Sequence, residues 1–264
     1  MKRVWGHVLT GLVVLAGVGA TSATTPGCVH DDSTIFVSDV LAPQYVSAGM
    51  VCTFTADPTQ PILSAGTLDV GLSGTYLAEF LVGNQIVPRG DPNQPQTETS
   101  YVTLAGAVVR IVDSNGNQIT TYTQPASATI PPSSGTTPGY ASVGVTIIDS
   151  TTAASFVKVP GTTPLVSYVR FFGQTLGGAS VESDEFGFPV NVCYGCLVSF
   201  PTAEENPALP TPNCAFRGAG GSTVSSVPCI VGQDLAVDCS LCQDDAVCSM
   251  NEQAGGTVID AGTD

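Results

Sequence analysis

The sequence predicts an all-β protein: an immunoglobulin-like β-sandwich over residues 33–192, followed by a small, disulfide-rich, loop-rich module over residues 193–250. Three observations lead there. Short β-branched and aromatic runs recur between turn-forming residues from Ile35 to Val192. No stretch sustains a 3.6-residue apolar period, which leaves strands as the main element. Seven of the nine cysteines crowd between Cys193 and Cys248.

Taken in order, Ile35-Phe36-Val37 and Val51-Cys52-Thr53-Phe54-Thr55 are short strand candidates, and Thr67 to Leu72 alternates polar with apolar. Tyr76 to Val87 is mostly apolar. Its core, Ala78-Glu79-Phe80-Leu81-Val82, could form one helical turn, but Gly74 and Gly83 at its margins favour a strand. Between Leu104 and Thr121 two strand-like runs flank Asp113-Ser114-Asn115-Gly116-Asn117. Asn-Gly tolerates positive φ, so a hairpin with a type I′ turn is expected. The same Asp/Asn cluster could be half a calcium loop, but it lacks the repeated carboxylates and terminal Glu of an EF-hand. Residues 125–139 are a Pro/Ser/Thr/Gly loop, and further strands are expected over Tyr140–Ile148, Leu165–Gln174 and Val181–Val192.

Composition limits the partners. Seven basic residues face 22 acidic ones, a net charge of −15. That balance argues against nucleic acid and against anionic lipid head groups. At 43% hydrophobic and 11% charged, the chain is too apolar to be a disordered solvating polymer.

Residues 1–27 have the layout of an export signal: Lys2 and Arg3, then an apolar run from Val8 to Ala20. That run is too short to cross ~30 Å of hydrocarbon as a helix, which disfavours a stop-transfer anchor. Two processing schemes fit. Val18-Gly19-Ala20 offers small residues to an ordinary signal peptidase. Thr25-Pro26-Gly27-Cys28 has the Gly-Cys of a lipobox, in which Cys28 becomes the acylated first residue, although Thr25 and Pro26 depart from the usual Leu and Ala or Ser. An odd thiol in an exported chain needs an explanation. Lipidation of Cys28 provides one, leaving Cys52, Cys193, Cys196, Cys214, Cys229, Cys239, Cys242 and Cys248 for disulfides. Residues 28–32 then form a short tether, and residues 251–264 a flexible tail.

Cleavage before Cys28 also removes Trp5 and His7, leaving His30 as the one histidine, beside the anchor. A His-based triad or a zinc site with two His ligands is thereby excluded from the globular part. Two CxxC pairs remain: Cys193/Cys196 and Cys239/Cys242. Their separation exceeds that of zinc ribbons, two cysteines intervene, and an oxidising compartment favours disulfides. The Pro-broken segment after Cys193 cannot bury enough apolar surface alone, so cross-links must hold it, with one bridge reaching back through Cys52. Structural bridges from the CxxC cysteines to other cysteines are favoured over a redox pair, because Leu197-Val198-Ser199-Phe200-Pro201 is a poor helix for lowering a thiol pKa. The carboxylates Glu182, Asp184 and Glu185 could act as acid and base, but a solvated edge is the simpler reading. No G-x-S-x-G, P-loop or H-E-x-x-H occurs.

Several runs carry a resemblance: Tyr76–Gln85, Arg89-Gly90-Asp91, Phe172–Gly178, Val181-Glu182-Ser183 and Phe188–Val198, which continues as the Cys193–Phe200 stretch CYGCLVSF. Together they are similar to a group of uncharacterised bacterial cell-envelope lipoproteins. That resemblance implies location and a cysteine scaffold, and brings no activity or site residues. Ala107–Asn117 resembles the hairpin of bacterial immunoglobulin-like repeats. Val29 after Cys28 implies the outer membrane by the sorting rule of such lipoproteins; secretion or a periplasmic location is the alternative.

The expectation is a non-enzymatic envelope lipoprotein with a structural or binding role. Its partners would be the membrane, through palmitate-type acyl chains on Cys28, and a protein or glycan ligand. No catalytic residue, metal or cofactor is expected. The alternative is an exported thiol–disulfide oxidoreductase using Cys193 and Cys196.

Overall fold

The computed structural model describes residues 34–46, 51–90, 98–157, 159–215, 228–242 and 244–249. The expected signal, lipidated cysteine, tether and tail (1–27, Cys28, 28–32 and 251–264) lie outside them. The chain is an all-β sandwich with a disulfide-rich segment after it.

One sheet has four strands: β1 (Ile35–Leu41), β4 (Ile62–Leu63), β6 (Tyr76–Asn84) and β10 (Gly139–Ile148), ordered β10-β6-β1-β4. The other is built on β5 (Gly66–Asp69), β13 (Phe186–Cys193), β11 (Thr163–Thr175), β7 (Val102–Asp113) and β8 (Gln118–Pro125), in that order. β9 (Thr129–Ile130) pairs with β7, and β12 (Ser180–Glu182) with β11. All pairings in the two sheets are antiparallel except β5 with β13, which is parallel and sets Asp69 opposite Cys193. A separate antiparallel pair joins β2 (Gln44–Val46) to β3 (Val51–Thr53).

Period-two burial builds the core. Val143, Val145 and Ile147 of β10, Val169 and Phe171 of β11, and Phe188, Val190 and Val192 of β13 all point inward. Phe80 sits at the centre, edge-on to Phe171 across the sandwich (centroids 5.5 Å apart) and to Phe186 (6.2 Å). The flanks are closed by polar side chains. The buried Ser167 hydroxyl donates to the Ile147 carbonyl, bonding β11 to β10. Gln124 and Tyr122 of β8 reach the Thr146 backbone on the edge strand β10. Side chains of one sheet thus satisfy the open edge of the other. Close packing also relies on absent side chains: the Phe36 ring lies over Gly83 and the Phe172 ring over Gly106, each directly across its strand pair.

The Ala78–Val82 run is strand, as its flanking glycines favoured, and lies in the interior of its sheet. Other sequence expectations need correction. The hairpin forms, but not through a type I′ turn. Gly116 has φ +82°, while no other residue of the turn has positive φ. Asp113 accepts from Gly116 N, its side chain accepts from Asn115 N and Asn117 N, and Asp113 N donates to Asn117 O. This is a three-residue turn ending in a left-handed glycine. The Asp113 carboxylate is spent on the turn's own amides, which answers the calcium alternative in favour of a turn. Finally, the run expected as one strand over Val181–Val192 is two, β12 and β13, and the 125–139 loop contains β9.

A short helix, α1 (Ser150–Ala154), is an addition to the expected elements. Asp149 caps it, accepting from Thr152 N. Among the described residues no helix is long and apolar enough to cross a membrane.

After β13 come β14 (Val198–Ser199) and β15 (Val237–Asp238), which pair in parallel, a 3-10 turn at Cys239–Leu241, and α2 (Ala246–Ser249). The interior of this segment is largely sulfur: Cys214, Cys239, Cys242 and Cys248 are buried with Val237 and Val247, and Leu72 from the sandwich packs on them.

Phe80→Ala is expected to cost about 3–5 kcal/mol, because Phe80 contacts both sheets and its removal leaves a cavity. Urea unfolding with the disulfides intact would measure it.

Candidate functional site

Asp69 ends β5 and is fully buried. A carboxylate in such a place must be satisfied by donors. One oxygen, Oδ1, accepts from Gly71 N at 3.0 Å and Gly195 N at 2.7 Å; Oδ2 accepts from Leu197 N at 2.8 Å. The side chain therefore ties its own turn to the loop Cys193–Leu197. The backbone adds to the tie: Asp69 N donates to Gly232 O, Val70 N to Cys193 O, and Val237 N to Leu197 O.

That loop is closed by a Cys193–Cys196 disulfide. The preference for bridges to more distant cysteines is corrected here: the two CxxC cysteines pair with each other. Gly195 turns the loop at φ +74°, and the Asp69 amide contacts hold it compact. The remaining bridges are Cys52–Cys229, Cys214–Cys239 and Cys242–Cys248. Cys52 ties the distal segment back to the sandwich.

A carboxylate oxygen of Asp69 and the sulfurs of Cys193 and Cys196 lie within 4.8 Å of one another. The set has the chemistry of a metal site only if reduced. As oxidised, each sulfur is bonded to the other, and the carboxylate already accepts three amide protons. What the group can do in this state is thiol–disulfide chemistry. Cys193 is 3% exposed, whereas Cys196 faces solvent.

A second, half-buried carboxylate sits nearby. Tyr76 Oη donates to Asp234 (2.9 Å to Oδ2), as does Thr67 N (2.8 Å to Oδ1), and Asp234 N donates back to Thr67 O. Asp234 has φ +61°, the one non-glycine residue of positive φ among the described residues. Burial pushes the Asp234 carboxyl above its ordinary range, against the two hydrogen bonds. Burial first, then the neighbouring Asp234, pushes the Tyr76 phenol up. Beside this pair lies a cavity of about 20 Å³, lined by residues including Leu41, Phe54, Leu63 and Ile230. It has room for about one water molecule.

The acidic cluster lies on the outer face of the larger sheet. Glu182 and Asp184 are both exposed, with Ser183 buried between them. Glu182 pairs with Arg170 at 2.7 Å. Glu185 binds Arg110 through two nitrogens, and that hydrogen-bonded guanidinium holds its carboxyl below the ordinary value. Arg110 also stacks over the Tyr168 ring, 4.3 Å from its centroid. These exposed pairs are worth about 0–1 kcal/mol each.

Sequence reading named the cysteines and the acidic cluster but missed Asp69 and the Tyr76–Asp234 pair. Asp69 leaves one trace: Asp-Val-Gly after an apolar run, as an Asx turn requires. Nothing local marks Asp234, whose partners are over 150 positions away.

No protein-family model matches the chain, and no curated protein matches it. Two solved structures overlay it loosely. One is a Northeast Structural Genomics Consortium target, 13% identical, covering 66% of this chain and 98% of its own, with a TM-score of 0.28. The other is a solution structure described as a late embryogenesis abundant (LEA) protein, 6% identical, covering 59% and 69%, with a TM-score of 0.27. At such scores neither likeness bears on function.

The raised Asp234 carboxyl gives a signed expectation. Its folded form holds a proton more tightly than an unfolded carboxyl near 3.9, so its contribution to stability is full below that value. The contribution is lost as pH rises through the folded value. Wild type should therefore lose more stability than Asp234→Asn between pH 3.5 and pH 7, as read from urea midpoints. An equal loss in both would rule out Asp234 as the source.

Proposed function

We propose that this is a non-enzymatic cell-envelope lipoprotein, a disulfide-braced β-sandwich held at a membrane by acylated Cys28 and serving a structural or binding role. The observation that carries this reading is cysteine pairing. Four bridges consume Cys52, Cys193, Cys196, Cys214, Cys229, Cys239, Cys242 and Cys248. Cys28 is the ninth cysteine of the sequence, outside these four pairs, and it follows a basic, then apolar, N-terminal stretch. Acylation gives that leftover thiol a use. Several acyl chains hold firmly, since each buried CH₂ contributes about 0.8 kcal/mol.

Two further features support an architectural role. Asp69 and Asp234 are built into the fold as acceptors for backbone amides and Tyr76. The acidic outer cluster is matched with Arg110 and Arg170. The strongly negative chain fits a protein or glycan partner better than nucleic acid. By the same N-terminal sequence the location is the outer membrane.

Intact mass of protein from the membrane fraction tests the reading. The expected mass is that of a chain starting at Cys28, carrying acyl chains and lacking two hydrogens per bridge. Cys28→Ala should move the protein from the detergent phase to the aqueous phase on Triton X-114 partitioning. A wild-type chain found in the aqueous phase with an unmodified N-terminus would overturn it.

A further inference from the structure

We propose that the Cys193–Cys196 bridge is a thiol–disulfide exchange site, attacked at Cys196 by low-molecular-weight thiols and held in shape by Asp69 when reduced. This activity stands apart from the anchoring role and does not depend on Cys28.

Access comes first. Among the described residues Cys196 is the one exposed half-cystine. Cys52 and Cys229 are half-buried, and the other five are buried. Exchange requires a thiolate to reach a sulfur in line with the bond it breaks. Cys196 is the most exposed of the eight half-cystines, and its partner Cys193 is buried at the end of β13.

Retention of the loop comes second. Opening most structural bridges releases chain entropy and loosens the fold. This loop is held by other means. Cys193 ends a strand paired with β5 and β11. Gly195 N and Leu197 N remain bound to Asp69, and Leu197 O to Val237 N. The reduced thiols therefore stay close together, and the bridge can open and close without unfolding.

The chemistry balances with a small thiol as reductant. A thiolate RS⁻ attacks Cys196 Sγ. An S–S bond forms between them as the Cys193–Cys196 bond breaks, and its electron pair goes to Cys193 Sγ, which takes up a proton. A second RS⁻ attacks the outer sulfur of the mixed disulfide, releasing RSSR and the Cys196 thiolate, which is protonated in turn. Two thiols are oxidised to one disulfide as the bridge becomes two thiols. Asp69 is a positioning residue with an electrostatic consequence. Its carboxylate, within 4.8 Å of both sulfurs, opposes negative charge on them. The thiols hold their protons more tightly, so less of the attacking thiolate forms at a given pH.

The test uses the folded, oxidised protein with dithiothreitol below denaturing conditions, iodoacetamide quenching and peptide mass mapping. Cys193 and Cys196 should be alkylated at least tenfold faster than the cysteines of any other bridge, with the far-ultraviolet circular dichroism unchanged. Prior reduction of another bridge, or loss of the β signal with this one, would overturn the proposal. Oxidised glutathione should trap a mixed disulfide on Cys196 of Cys193→Ser at least tenfold faster than on Cys193 of Cys196→Ser; equal rates sink the assignment of the attacked sulfur. The wild-type mapping needs no variant, so it stands if either folds badly. For Asp69, the pH midpoint of alkylation of the reduced pair should fall by about one unit in Asp69→Asn, a tenfold change in thiolate equilibrium. An unchanged midpoint would restrict Asp69 to holding the loop.

Discussion

One buried carboxylate joins the two parts of this chain. Asp69 sits where the larger sheet ends, opposite Cys193, and accepts three backbone amides, one from its own turn and two from the loop beyond. A buried carboxylate is tolerable only if fully bonded. Once the sandwich places it there, the Cys193–Leu197 loop must close over it. The loop then starts β14, which pairs with β15, and β15 leads into the cystine-lined interior. The order of the distal segment follows from that contact as much as from its sulfur links.

The sandwich itself is stabilised by ordinary burial, with Phe80 bridging the two inner faces. Its sides are finished with hydrogen bonds. Ser167 bonds across to β10, and Gln124 treats the edge of β10 as a partner strand would. An exposed edge invites pairing with other chains, so this side is occupied by side chains instead. A half-buried carboxylate, Asp234, performs a similar task at the other margin, tying the segment after Cys229 to Thr67 and Tyr76. It differs in holding its proton more tightly than an exposed carboxyl, because burial there outweighs its hydrogen bonds.

The division of labour among the four bridges is uneven. Cys214–Cys239 and Cys242–Cys248 replace an apolar core that the segment is too short to build. Cys52–Cys229 spans 177 positions and constrains the unfolded chain most. Cys193–Cys196 closes the smallest ring and adds least to that constraint, since hydrogen bonds already define its loop. A bridge that architecture does not need is free to serve chemistry.

Much of this was legible in the sequence. Period-two runs marked β7, β10, β11 and β13, because side chains on a half-buried strand alternate between core and solvent. Asn115-Gly116 marked the hairpin, although the turn type was set by the Asp113 side chain competing for the amides. The crowding of cysteines marked the segment that needs cross-links. Sequence alone determined these features because each depends on neighbours a few residues apart. Tertiary structure alone decided the pairing of Cys193 with Cys196, the burial of Asp69 beneath them and the meeting of Tyr76 with Asp234. Those contacts join positions more than a hundred residues apart, or depend on such a contact, and local periodicity holds no record of which distant backbone amide a carboxylate will face.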